Sequence, residues 1–120
     1  MSQYVEGPTK TFAAGAALAV HTRVKIDSGV LAAAGAGADD DTLEIGTLVQ
    51  ASFASGDVVA VRLRNAPGTC KMVAAGDFAA GVAVYGAAAG TIDEDVSGNP
   101  IGIAMEASGA AGDVVEVLRY

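Results

Sequence analysis

The sequence predicts an all-β protein, mainly strand with at most one or two short helical turns, folded as a small β-barrel or sandwich from two pseudo-repeated halves. Three observations predict it. First, IGTLVQASFASGDVVAV at 45–61 recurs without a gap as IGIAMEASGAAGDVVEV at 101–117, with ten of 17 positions identical. A repeat at such a spacing marks a duplicated structural unit. Second, side chains alternate in DVVAVRLR at 57–64: Val59, Val61 and Leu63 fall on one face, Val58, Ala60, Arg62 and Arg64 on the other. DVVEVLRY at 113–120 repeats the pattern, with Val115 and Val117 in place of Val59 and Val61 and Glu116 in place of Ala60. One apolar face and one mixed face describe a half-buried antiparallel strand. Third, glycines punctuate short β-branched runs about every eight to twelve residues, the rhythm of a small sandwich or barrel.

Taken in order, residues 1–11 (MSQYVEGPTKT) carry no helical pattern and are broken by Gly7-Pro8, which reads as an extended arm. AAGAALAVHTRVKIDSGVL at 13–31 then pairs with AAGDFAAGVAVYGAAAGTI at 74–92, an offset of 61 with five of 19 positions identical. The offset falls to 56 in the stronger block, so the first half holds five extra residues, which the reading places in the loop AGAGADDD at 34–41. Each half is expected to run from an Ala-Gly turn through a short strand, a Gly turn, a loop, an Ile-Gly-led strand and a Gly-Asp turn to a final strand. Glycines interrupt every alanine run, which confines helix to one turn near residues 77–80. The domain plan is an arm over 1–11 and a single β domain over 12–120, with pseudo-repeats at about 12–64 and 73–120.

Composition bounds the function. Fourteen acidic side chains face seven basic ones, a net charge of -7, which repels phosphates and argues against nucleic acid as a partner. Residues 12–20 (FAAGAALAV) lack the flanks of a signal peptide, and no apolar run reaches the roughly 18 residues of a membrane span. The protein is therefore read as made in the cytoplasm, with no membrane partner. The single cysteine, Cys70, has no CxxC or His partner nearby in sequence and reads as a small buried apolar residue. None of the three lysines follows a glycine, which removes a P-loop; no G-x-S-x-G occurs; and Gly35-x-Gly37 opens no helix. His21, the one histidine, is read as an ordinary strand residue. The clusters Asp39–Asp41 and Asp93–Asp95 lack the spaced calcium-loop pattern and read as solvated loops, with a divalent ion the alternative. Arg23 with Lys25, and Arg62 with Arg64, are i, i+2 pairs on one side of a strand, facing solvent or local carboxylates, or else meeting a neighbouring subunit or an acidic partner. No catalytic, metal or cofactor set emerges, and the expectation is a binding or structural protein rather than an enzyme.

GVAVYGAAAGTI at 81–92 and NPIGIAMEASGAAGDVVEVLRY at 99–120 resemble the C-terminal signature of the capsid decoration, or cement, proteins of tailed phages. The likeness runs from about Pro8 to the end. Gly86 departs from it, standing where many members carry a polar or acidic residue after the aromatic. The resemblance implies a trimer bound to the major capsid protein on the outer surface of a mature head, which it stabilises. In that setting the arm supplies the capsid contact, with Tyr4, Val5, Pro8, Lys10 and Phe12 as its contact residues. Arg23, Lys25, Arg62 and Arg64 are the candidate subunit contacts. The alternatives are another β-rich virion module, such as a head fibre base or a tail or baseplate component, and, less favoured, a ligand-binding barrel.

Overall fold

The alternating valines lie in strands that a close neighbour can clamp on both sides, and each does so inside its own half of the chain. The structure, a computed structural model, describes residues 7–120. The elements are β1 (Thr9–Ala13), β2 (Arg23–Asp27), β3 (Val30–Ala33), α1 (Ala38–Leu43), β4 (Glu44–Leu48), β5 (Val58–Leu63), β6 (Thr69–Val73), β7 (Ala83–Gly86), a single 3-10 turn (Ala88–Gly90), β8 (Ile92–Asp93), β9 (Pro100–Ala104) and β10 (Val114–Arg119). They form two five-stranded antiparallel sheets with the same order, β1-β5-β4-β2-β3 and β6-β10-β9-β7-β8. The fold is all-β, as expected.

Each sheet curls until its two edges meet. The chain just after β1 touches β3 through a parallel bridge from Ala14 to Leu31, and the chain after β6 touches β8 through Ala74 to Ile92. Gly15 N–H donates to Leu31 O at 2.9 Å, and Ala75 N–H to Ile92 O at 2.7 Å. Closure hides edge backbone groups that would otherwise be open to another chain. It also gives each half a private core. Leu31, Leu48, Val24, Val59 and Val61 fill the first, with Phe12, Leu18 and Ile45 packed against it. Met72, Phe78, Val84, Ile92, Val115 and Val117 fill the second.

The repeat's identical residues hold the same bonds in both lobes. Ser52 Oγ donates to Ala16 O and Ser108 Oγ to Gly76 O, both at 2.8 Å. Asp57 Oδ2 accepts from Phe53 N and Ala54 N; Asp113 Oδ2 accepts from Gly109 N and Ala110 N. Even the bulge is duplicated, between Val24 and Lys25 and between Val84 and Tyr85.

Three details differ from the sequence expectation. The offset is sixty in the early part of each lobe, where Ala14, Leu18 and Val24 match Ala74, Phe78 and Val84, and reaches 61 only at Leu31 and Ile92. Residues 77–80 are not helical, because Phe78 is tied by a two-bond backbone bridge to Ser108. The helix is α1, within the extra residues of the first half, where Asp39, Asp40 and Asp41 occupy the first turn and suit its positive end. Finally, residues 9–11 of the expected arm belong to β1, paired with β5 from Thr9↔Arg62 to Ala13↔Val58.

Candidate interaction surfaces

The lobes meet through charge rather than through a shared apolar core. Arg23 on β2 has no exposed side-chain area: of the settings expected for it, it meets local carboxylates, and burial takes it away from solvent and from any subunit contact. Its Nε donates to Glu44 Oε1 at 3.1 Å, its Nη2 lies 3.6 Å from Asp41 Oδ1, and its Nη1 reaches Thr91 O of the second lobe at 3.0 Å. Arg119 on β10 closes on the same Glu44 from the other side, with Nη2 at 2.9 Å from both carboxylate oxygens. Asp41 Oδ2 accepts from Asn99 N of the second lobe at 2.9 Å. Two cations and two carboxylates therefore pair across the junction, which is how buried charges are tolerated. Gly86 has its explanation here. A Cβ on it would lie 2.5 Å from Arg23 Nη2, so only glycine leaves room for the guanidinium.

The other predicted site residues scatter. Tyr4 and Val5 lie outside the described residues. Pro8 is exposed, and its carbonyl accepts from Leu63 N at 2.8 Å. Lys10 stands 5.7 Å from the centroid of the Phe12 ring, and Phe12 packs on the first core. Lys25 Nζ donates to Asp40 Oδ1 at 2.9 Å. That bond raises the Lys25 pKa, and, with a further bond from Gly35 N, lowers that of Asp40. Arg64 is exposed and donates to Asp41 O and Thr42 O. Arg62 donates to Pro67 O and lines a groove across the junction.

Asp40 and Asp41 are thus engaged by cations of the chain. Among the described residues no group of three or more His, Cys, Asp or Glu is placed to hold a metal ion. The second acidic loop differs. Burial, then Asp95, raises the Asp93 pKa, and Asp93 Oδ1 has no hydrogen-bond partner. A carboxyl with a raised folded-state pKa favours the folded state fully only below its unfolded pKa, and that advantage is lost as pH rises through the folded value. Asp93→Asn is therefore expected to raise the melting temperature at pH 7 and to have no effect near pH 3; equal shifts at both pH values would contradict this. Cys70 is buried, and burial raises its thiol pKa, while desolvation and Lys71 lower that of His21. Both directions oppose a thiolate–imidazolium pair.

Sequence reasoning passed over the most exposed large apolar side chain among the described residues. Phe53, in the turn before β5, is 84% exposed. The turn is held by Asp57, so the ring projects from an ordered backbone. The signal was in the repeat: the twin turn has the same bonds with Gly109 at that place, so the fold does not require a phenyl ring there.

No family model matches the chain, and no curated protein does. Among solved structures the fold is similar to that of the head fibre gp8.5 N base in bacteriophage phi29, with a TM-score of 0.74, 18% sequence identity, and 93% of this chain and 92% of that one covered.

Proposed function

We propose that the chain is a structural module of a phage virion, a two-lobed base that seats on the outside of the head. The fold it shares with a head fibre base over almost the whole length of both chains carries this reading. The private cores and the inward-paired charges fit a rigid mount better than a reactive site. A second reading, decoration of the head, rests on the resemblance of 81–92 and 99–120 to cement proteins. The two share a partner, the major capsid protein, and differ in consequence. A cement protein bound only to the expanded shell stabilises that shell by mass action, and a trimer multiplies one weak contact. A fibre base need only hold on.

The test is co-sedimentation with expanded heads, followed by heating of the loaded heads, with light scattering to read the free oligomer. Binding without a change in head melting supports the base; binding with a raised melting temperature supports decoration; no binding removes both. In either case we place a contact at Phe53. A solvent-facing aromatic on a turn whose backbone is held by Asp57 has the character of an interface anchor, and such anchors are worth about 2 kcal/mol or more. Phe53→Gly, which installs the twin's residue, is expected to weaken head binding about 30-fold. The melting temperature of the free protein should not change. Undiminished binding would remove Phe53 from the interface.

A further inference from the structure

The two lobes act as controls for each other. Where they share backbone and bonds but differ in side chain, the fold has not dictated the difference. Several such differences meet in one place, an open groove of about 260 Å³ at the junction of the lobes. It is lined by His21, Thr47, Leu48, Val49 and Arg62 of the first lobe and by Thr69, Cys70, Lys71 and Glu116 of the second.

Strand registers give each charged member its twin. Arg62 corresponds to Leu118, Lys71 to Thr11 and Glu116 to Ala60. His21 corresponds to Gly81, since His21 N donates to Leu48 O as Gly81 N does to Ala104 O. This last exchange goes against the backbone. His21 has φ 67° and Gly81 φ 85°, a left-handed conformation that glycine adopts freely and an L side chain does not. A side chain kept in a disfavoured backbone conformation points to a use beyond folding.

The charges in the groove are also incompletely matched. Glu116, directly across from Lys71 on β10, accepts from Thr69 Oγ1 at 2.6 Å, and no ion pair joins it to Lys71. Arg62 donates only to the Pro67 carbonyl. Two cations against one carboxylate leave the groove one positive charge in excess, on a chain whose net charge is -7. One added carboxylate balances it, whereas a polyanion would meet the acidic remainder of the surface. The walls are not wholly polar: Val49, 45% exposed, supplies apolar area, while Leu48 and Cys70 are buried.

We infer that this groove is a recognition site for an acidic side chain of a protein partner, a single Asp or Glu carboxylate beside an apolar neighbour. The carboxylate lies against Arg62 and Lys71, a flanking apolar group rests on Val49, and His21 forms the rim. Burial and Lys71 hold His21 below its ordinary pKa in the free protein, and Arg62 and Glu116 are the other charged groups of the groove. An arriving carboxylate favours the charged imidazole, so binding is coupled to proton uptake. The inference does not depend on the partner's being a phage head.

His21 is the chain's one histidine, which makes its ring a clean reporter. The experiment titrates the isotope-labelled full chain by NMR with N-acetyl-Leu-Glu-Leu-amide, with the Leu-Gln-Leu analogue, and with inorganic phosphate. The expected result is movement of amides in 47–49 and 69–71 by the Glu peptide, a rise in the His21 pKa, and at least tenfold weaker binding of the Gln peptide. Lys71→Thr and His21→Gly, which install the twin residues, should weaken Glu-peptide binding several-fold with the melting temperature unchanged or, for His21→Gly, raised. Equal binding of the Gln peptide, equal movement of the same amides by phosphate, or wild-type binding by Lys71→Thr would overturn the assignment. A fall in melting temperature for His21→Gly would overturn the claim that His21 is held against its backbone preference.

Discussion

Replacing Glu44 with glutamine is expected to cost about 3–5 kcal/mol, the loss seen when one partner of a buried ion pair is removed. Glu44 has no exposed side-chain area and serves Arg23 and Arg119 together. Glutamine keeps the volume and one acceptor but leaves Arg119 facing a neutral group and Arg23 with only the more distant Asp41 carboxylate. Against a total of about 5–15 kcal/mol for a domain, that is a large share. The form of unfolding should change too. Each lobe has its own apolar core, and Glu44 is the acceptor that Arg23 of one lobe and Arg119 of the other hold in common. Weakening it uncouples the lobes, so urea unfolding read by two probes, Phe12 in one lobe and Tyr85 in the other, should cease to coincide. A cost below about 1 kcal/mol with coincident transitions would show that the junction holds without this carboxylate.

These charges also show where the sequence stops being legible. Val59, Val61, Val115 and Val117 announce a buried face because a strand's period is local, and all four are buried. Gly-Asp and Ala-Ser announce themselves by repetition, and Asp57, Asp113, Ser52 and Ser108 hold matching bonds. The partners of Glu44, in contrast, lie 21 and 75 residues away, with no spacing rule to join them. The i, i+2 rule placed Arg23 beside Lys25 on one strand side, but the bulge between Val24 and Lys25 breaks that alternation. Arg23 points inward and Lys25 stays near the surface with Asp40. A clue was present in the duplication. Arg23 matches Ala83 and Glu44 matches Pro100, charged residues where the other lobe carries small or apolar ones. The same comparison exposes Phe53 and His21. Identity within the repeat marks the scaffold; divergence at a shared backbone position marks the junction and the candidate contact surfaces.

The Ile-Gly pair that leads each long repeat predicts the other large effect. Gly46 on β4 pairs with Leu63 on β5, and a Cβ built on it would overlap the carbonyl oxygen of Arg62 and lie 2.9 Å from that carbonyl carbon. Gly102 stands in the same relation to β10, where a Cβ would come 2.5 Å from Leu118 O. The obstructing atoms are backbone, so no rotamer change relieves them, and β4 would have to move away from β5. That movement disturbs the packing of Leu48 against Val61, which face each other across the same ladder and are both fully buried. Overpacking of a tight interior costs about 1–3 kcal/mol, and a backbone-on-backbone clash belongs at the top of that range. Gly46→Ala and Gly102→Ala are therefore each expected to cost about 3 kcal/mol, measured by urea unfolding. Gly76 provides the control. It has open space around its Cβ position and no left-handed φ, so Gly76→Ala should change stability by no more than about 0.5 kcal/mol. If Gly46→Ala were as mild as Gly76→Ala, β4 and β5 would not approach as closely as the register requires. The identity of Ile-Gly in both halves would then need a cause other than the tightness of this strand pair.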